Sequence, residues 1–180
     1  MTLVVRIAAS VLALSTLVVT MPALARPLTA SMSLATPTGP GAPIGFITID
    51  IGPEGAAFIL DLHGLPPGPH GFHVHANPSC AAGEKDGKPV PAGGAGAHLD
   101  PSMSRAHMGP MGAGHLGDLP VITVADDGSA HGRLVAPRIS SLDDLRGHAL
   151  MIHAGGDNYA DSPAPLGGGG ARLACGVITG

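Results

Sequence analysis

The segment Gly71-Phe-His-Val-His75 sets two histidines two residues apart. In a strand such residues project from one face, so both imidazoles can address one metal ion while Phe72 and Val74 turn into the core. Histidine is the commonest metal-ligating side chain, and this chain holds ten. Alone the pattern is weak, because a strand with two exposed histidines is common. The residues that follow strengthen it. His98, His107, His115 and Asp118 come next, spaced H-x8-H-x7-H-x2-D. Three imidazoles and one carboxylate suit a closed tetrahedral zinc site. They fall in a stretch, 80–118, without helix or strand pattern, and a loop that long needs a centre to fix it. His153, at the end of an apolar run beginning at His148, is the remaining candidate ligand.

The elements that position these residues read as strands. Leu28, Ala30, Met32 and Leu34 alternate with polar residues, and Ile47, Ile49 and Ile51 alternate with Phe46, Thr48 and Asp50. A period of two over such lengths marks a strand with one covered face. Further strands are expected at 58–62, 71–75, 119–124, 131–136, 148–153 and 172–179, with turns at Pro53-Glu-Gly55 and Ala125-Asp-Asp-Gly128. The expected fold is therefore all-β, an eight-stranded antiparallel barrel or sandwich. Two long functional loops, 80–118 and the Gly-rich 154–171, each begin just after a strand that ends in His. Only 140–146, with a Ser that can cap and acids in its first turn, suggests a helical turn.

Composition bounds the partners. Gly and Pro are abundant (28 and 18 of 180 residues), but hydrophobic residues at 44% and charged residues at 12% argue for a folded, turn-rich chain over disorder. Four aromatic residues and a net charge of −4 provide neither for base stacking nor for phosphate neutralisation, which excludes nucleic acid as the main partner. At the start, Arg6, an apolar run to about Val19 and Ala23-Leu-Ala25 match a cleavable secretory signal over 1–25, leaving 26–180 as a single domain. The run is short for a membrane span, so no stable membrane anchor is expected.

Five ordered motifs resemble the copper/zinc superoxide dismutases: Gly71-Phe-His-Val-His75, Ala97-His-Leu-Asp-Pro101, Gly114-His-Leu-Gly-Asp-Leu-Pro120, Met151-Ile-His-Ala-Gly-Gly-Asp157 and Gly170-Ala-Arg-Leu-Ala-Cys-Gly176. Asn77-Pro-Ser-Cys80 and Pro165-Leu-Gly-Gly-Gly-Gly170 are similar to the bacterial periplasmic branch. The resemblance implies a Greek-key barrel and the conversion of superoxide to O2 and hydrogen peroxide by Cu(II)/Cu(I) cycling. It implies one copper per chain, held by His73, His75, His98 and His153. One zinc would be held by His98, His107, His115 and Asp118, with His98 bridging the two ions. Four imidazoles without a thiolate also suit Cu(II) chemically. Asp157 would join His73 to His107 as an outer carboxylate, and Arg172 would hold the anionic substrate beside copper. The protein would be periplasmic, as a monomer or homodimer, and would protect against superoxide outside the cytoplasm.

Cys80 and Cys175 are the only cysteines, and in a secreted chain they are expected to form a disulfide. His70 is expected to be structural, and His63, His131 and His148 to lie on the surface. Met103, Met108 and Met111 offer soft sulfur for acquiring Cu(I), or else fill gaps in the loop. Lys85 and Lys88 read as solvated loop charges. A non-enzymatic metal carrier on the same barrel is the reading of a different class. A carrier needs neither a bridging imidazole nor an anion-holding cation, and His98 and Arg172 in their motifs favour the enzyme.

Overall fold

The computed structural model describes residues 26–180, so the expected leader, 1–25, lies outside the described residues. Eleven strands follow in order within them: β1 (Leu28–Thr36), β2 (Gly39–Gly52), β3 (Gly55–Leu62), β4 (Gly68–His70), β5 (Phe72–His75), β6 (Gly83–Lys85), β7 (Lys88–Val90), β8 (Ile122–Val124), β9 (Ala130–Ala136), β10 (Ala149–His153) and β11 (Arg172–Thr179). One antiparallel sheet has the order β5-β10-β11-β1-β2-β3-β9, and β4 pairs separately with β8. Only Gly71 separates β4 from β5, and a tight turn closed by Ala125 N–H to the Ser129 carbonyl (2.8 Å) joins β8 to β9. The sheet thus curls round until β8 and β4 close it. With β4 and β5 as one bent strand, and β6 and β7 set apart in a loop, this is the eight-stranded Greek-key barrel expected. The chain leaves β3 for β4 without pairing there, and β9 fills the place beside β3.

Alternation builds the core. Leu28, Ala30 and Met32 of β1, Ile47 and Ile49 of β2, and Phe58, Leu60 and Leu62 of β3 are buried. Each large side chain removed from water contributes roughly 1.5–3 kcal/mol. The register between β1 and β2 slips after Met32, which returns Ile44 to the core face as well. Gly45 permits that irregularity: its φ is +117°, and a Cβ there would lie 2.1 Å from the Asp61 carbonyl oxygen. Phe58 meets Phe72 edge-on at 5.6 Å in the barrel interior.

The outer face of β5, β10 and β11 is covered instead of solvated. Leu150 and Ile152 point into the barrel with Phe72 and Val74, while Ala149, Met151 and Cys175 point out against Ala92 and Ala95 of the loop. The Cys80–Cys175 disulfide fastens that loop to β11, and neither cysteine is free. The loop is also less bare than its sequence suggests, since β6 and β7 form a hairpin round Asp86-Gly87 with both turn residues at positive φ. Strands of three mostly exposed residues are too short to show a period, and Asp-Gly was their only signal. Likewise β2 begins at Gly39, seven residues before the apolar alternation. Over 119–121 the expected strand is missing, because Leu119 N–H goes to the Phe72 carbonyl and Val121 N–H to the Tyr159 hydroxyl. The expected helical turn is a single 3-10 turn, Leu142–Asp144, capped by Ser141.

Replacing Cys80 and Cys175 together by Ser should lower unfolding free energy by about 2–5 kcal/mol, because the bridge constrains a long unfolded loop. Chemical denaturation of the oxidised protein and the double variant checks this; equal midpoints and slopes would contradict it.

Candidate metal centre

His73 and His75 occupy the outward face of β5, and His153 ends the neighbouring β10. The loop comes back to this face twice. His98 forms a bridge opposite His75, and Asp118 forms one opposite His73. Val74, between the two histidines, fixes both returns: its N–H donates to the Gly117 carbonyl (2.9 Å) and its carbonyl accepts from Leu99 N–H (2.8 Å). Gly117 is required for that approach, since a Cβ there would lie 2.3 Å from the Val74 carbonyl oxygen. Six imidazoles and a carboxylate are thereby buried together on a surface that a bare barrel would expose to water.

Two groups of donor atoms result. His73, His75, His98 and His153 offer atoms within 4.8 Å of one another, and so do His73, His98, His107 and Asp118. His73 and His98 belong to both. His75 Nε2 and His153 Nε2 are 3.4 Å apart. In the second group Asp118 Oδ1 lies 3.1 Å from His98 Nδ1, 3.0 Å from His107 Nδ1 and 3.3 Å from His115 Nδ1. His115 thus joins through Asp118. A tetrahedral ion with bonds of about 2.0–2.1 Å has ligand atoms roughly 3.3 Å apart, and the separations about Asp118 fit that spacing.

The hydrogen-bond inventory makes the same point. His73 Nδ1, His98 Nε2 and His107 Nδ1 are buried without a hydrogen-bond partner. An unsatisfied buried polar atom costs about 1–3 kcal/mol, and three converging in one cluster call for a cation. The opposite ring atoms are fixed: His73 Nε2 and His107 Nε2 each lie 2.8 Å from an oxygen of Asp157, and His75 Nδ1 donates to the Gly96 carbonyl at 2.9 Å. Such bonds orient a ring and direct its other nitrogen at an ion.

Electrostatics divides the cluster. Burial, reinforced by His73, pushes His153 down to about 3; burial pushes His98 down to about 4 against the pull of Asp118. His75 is also well lowered, by burial and His98. At His107 burial acts in the same direction, but Asp118 and Asp157 outweigh it and raise the ring to about 9. Both carboxyls, although buried, are held well below the usual range by the imidazoles they face.

Arg172 faces His153 across the β10–β11 ladder. Its guanidinium donates to the Ala92 and Gly96 carbonyls, and burial lowers its pKa. His70 binds no other imidazole; its ring nitrogens meet the His153 and Pro66 carbonyls at 2.7 and 2.8 Å. His63 and His131 are exposed, but the surface expectation for His148 is corrected: it is half-buried, 2.7 Å from the Ala76 carbonyl. Met103 and Met111 are 75% and 77% exposed, so gap-filling does not explain them. The sequence reading missed Asp161, whose carboxylate accepts from His107 N–H (2.8 Å) and Leu166 N–H (3.0 Å), and Arg138, which grips the Gly114 and His115 carbonyls. Backbone groups are the partners in both cases, and no side-chain pattern announces them.

Residues 44–178 match the family described as copper/zinc superoxide dismutase (SODC). The superoxide dismutase [Cu-Zn] of Escherichia coli (strain K12) is 52% identical over 167 residues, spanning 93% of this chain and 96% of that protein. The structure of the Cu/Zn superoxide dismutase from Brucella abortus superposes with a TM-score of 0.84 at 52% identity, covering 86% of this chain and all of that one. The solution structure of the monomeric copper, zinc superoxide dismutase from Salmonella enterica gives 0.76 at 54% identity, with 84% and 98% covered.

The metal-free protein should be most stable near pH 6.5. His98 and His153, lowered to about 4 and 3, contribute fully above their unfolded value of 6.5 and lose that contribution as pH falls toward those values. His107, raised to about 9, contributes fully below 6.5 and loses it as pH rises to about 9. Urea unfolding of chelated protein between about pH 4 and 9 checks this dome, and a monotonic rise across the range would contradict it.

Proposed function

The chain belongs to the copper/zinc superoxide dismutase family, and from that premise we propose which of its residues carry the dismutation of superoxide. Copper and zinc are its cofactors. We assign one copper to His73 Nδ1, His75 Nε2, His98 Nε2 and His153 Nε2, and one zinc to His98 Nδ1, His107 Nδ1, His115 Nδ1 and Asp118 Oδ1. The observation that carries this assignment is His98. Its Nδ1 faces the Asp118 carboxylate at 3.1 Å while its Nε2 is buried and unpaired, so one ring presents a nitrogen to each donor group.

When bound, copper supplies one-electron cycling between Cu(II) and Cu(I), by which one superoxide leaves as O2 and a second as hydrogen peroxide. The protein supplies the rest. His98 Nε2, buried and without a protein partner on the copper side, is the atom that would hold one of the two protons the second half-reaction consumes. Asp157 keeps His73 and His107 in one tautomer by accepting from both Nε2 atoms. Arg172 keeps a guanidinium at the edge of the copper group, where an anion can be held, and its two carbonyl partners fix it there. A carrier has no use for this cation or for a ring serving two ions.

The loop 154–171 carries Asp157 and Asp161 but no Lys or Arg, so guidance of the substrate falls to charges close to copper. Such guidance acts over about a Debye length, ~8 Å at physiological salt. Among the described residues no helix is long and apolar enough to cross a membrane. The leader pattern and the disulfide support a periplasmic location, and the monomeric Salmonella relative supports a monomer over a homodimer.

A xanthine oxidase/cytochrome c assay before and after chelation, with metal analysis, tests the assignment. Asp118→Ala and His115→Ala should lower zinc content and thermal stability, since binding free energy is partly folding free energy; unaltered zinc in both would overturn it. Arg172→Ala should lower kcat/KM about tenfold or more, equivalent to ~1.4 kcal/mol, with both metals retained. Full activity at low salt would remove Arg172 from this role and leave Lys85 and Lys88 to be tested.

A further inference from the structure

Arg138 belongs to neither donor group. It lies in the connector that follows β9, yet its guanidinium crosses to the zinc loop, where one terminal nitrogen donates to the His115 carbonyl at 2.9 Å and the other to the Gly114 carbonyl at 2.8 Å. Its base is part of the barrel: the next residue, Ile139, is fully buried, donates to the Ala136 carbonyl at 3.2 Å and accepts from Ala56 N–H at 2.9 Å. The guanidinium makes no ion pair among the described residues.

The two carbonyls it grips open the turn Gly114-His-Leu-Gly-Asp118, which sets His115 against Asp118. Within that turn the His115 carbonyl also accepts Asp118 N–H, but at 3.4 Å, a long bond. The donor atoms the turn must bring together, His115 Nδ1 and Asp118 Oδ1, are 3.3 Å apart. Gly114 lies so close to an earlier part of the loop that a Cβ on it would sit 2.3 Å from the Ala106 carbonyl oxygen. The turn itself therefore holds weakly at the His115 carbonyl, and the strong bonds there come from outside it. A planar guanidinium can fix two consecutive carbonyls at once, which the single ammonium of lysine cannot do in one geometry. His107 is supported from the other side in a comparable way, by the Asp161 carboxylate on its N–H.

We propose that Arg138 is a positioning residue for zinc: it sets His115 at bonding distance from Asp118 before the ion arrives and slows the ion's escape afterwards. The inference rests on the zinc assignment made above. Among the described residues Arg138 hydrogen-bonds to none of those assigned to copper, so its effect is expected at zinc. It acts through the backbone and need not approach the ion.

The test uses the full chain loaded with both metals, as wild type, Arg138→Met and Arg138→Lys, with His115→Ala and Asp118→Ala beside them. Zinc release to the chromophoric chelator 4-(2-pyridylazo)resorcinol should be about tenfold faster in Arg138→Met and intermediate in Arg138→Lys, with copper content unchanged. The visible spectrum of the protein with cobalt at the zinc site should shift in Arg138→Met, reporting altered ligand geometry. The rise in Tm on zinc loading should shrink relative to wild type. Wild-type release and an unchanged cobalt spectrum, with metal-free and loaded Tm lowered equally, would reduce Arg138 to a general stabiliser and overturn the proposal. Arg138→Lys keeps the comparison available should Arg138→Met not fold. Full zinc content in His115→Ala and in Asp118→Ala would overturn the zinc assignment itself, a failure distinguishable from the first.

Discussion

The crowding of three ring nitrogens round one buried carboxylate oxygen, Asp118 Oδ1, is the constraint on which the rest of the structure depends. A carboxylate removed from water is costly unless paired and hydrogen-bonded. Here it is surrounded by imidazoles, two of which present buried nitrogens with no partner of their own. Such an arrangement persists only if the surrounding chain holds the rings at that spacing and a cation fills the need they create. The loop 80–118 therefore has no strand ladder over most of its length. It is ordered by what its side chains surround and by contacts made to it from outside.

Those outside contacts come from the barrel and from the second loop. Val74 receives the returning chain at Gly117 and Leu99, the disulfide fastens the loop's beginning to β11, and Asp157 binds His73 to His107 from the other loop. The barrel's division of labour makes this possible. Its inner face, with Phe58, Phe72 and the aliphatic residues, supplies the hydrophobic stabilisation and needs no metal. Its outer face at β5, β10 and β11 is free to carry polar chemistry, because a loop rather than water covers it. One strand serves both: Phe72 and Val74 bury inward, and His73 and His75 point outward.

Some of this was legible in the sequence for a definite reason. An i, i+2 histidine pair on a strand has only one face to occupy, and alternation over five or more residues fixes that face, so the β5 pair could be placed without coordinates. The barrel was legible for a related reason, its two long N-terminal strands showing a period of two and the shorter apolar runs being bounded by turn residues. The hairpin at β6 and β7 was not, because three-residue exposed strands have no period to detect. His148 misled because exposure tendencies say nothing of a specific acceptor such as the Ala76 carbonyl. The double contact of Asp157 was reached through resemblance alone, since no spacing rule links positions 73, 107 and 157. Arg138, Asp161 and the carbonyls that hold Arg172 were beyond reach, because their partners are backbone atoms that every residue possesses.

The same geometry bears on how an anion approaches a chain whose formal charge is −4. Taken as a whole the protein repels superoxide, and the carboxylates nearest the cluster add to that at first sight. Asp118 and Asp157, however, are fully enclosed and face imidazoles, so their field is largely spent inside. Arg172 differs in kind. Its charge is half-buried at the rim, paired with carbonyls rather than a carboxylate, and so is not cancelled. A cation in a cleft with low-dielectric walls focuses the field into the opening. Local arrangement thus weighs against net charge: Asp118 and Asp157 face imidazoles within the cluster, while Arg172 keeps an uncancelled positive charge at its edge.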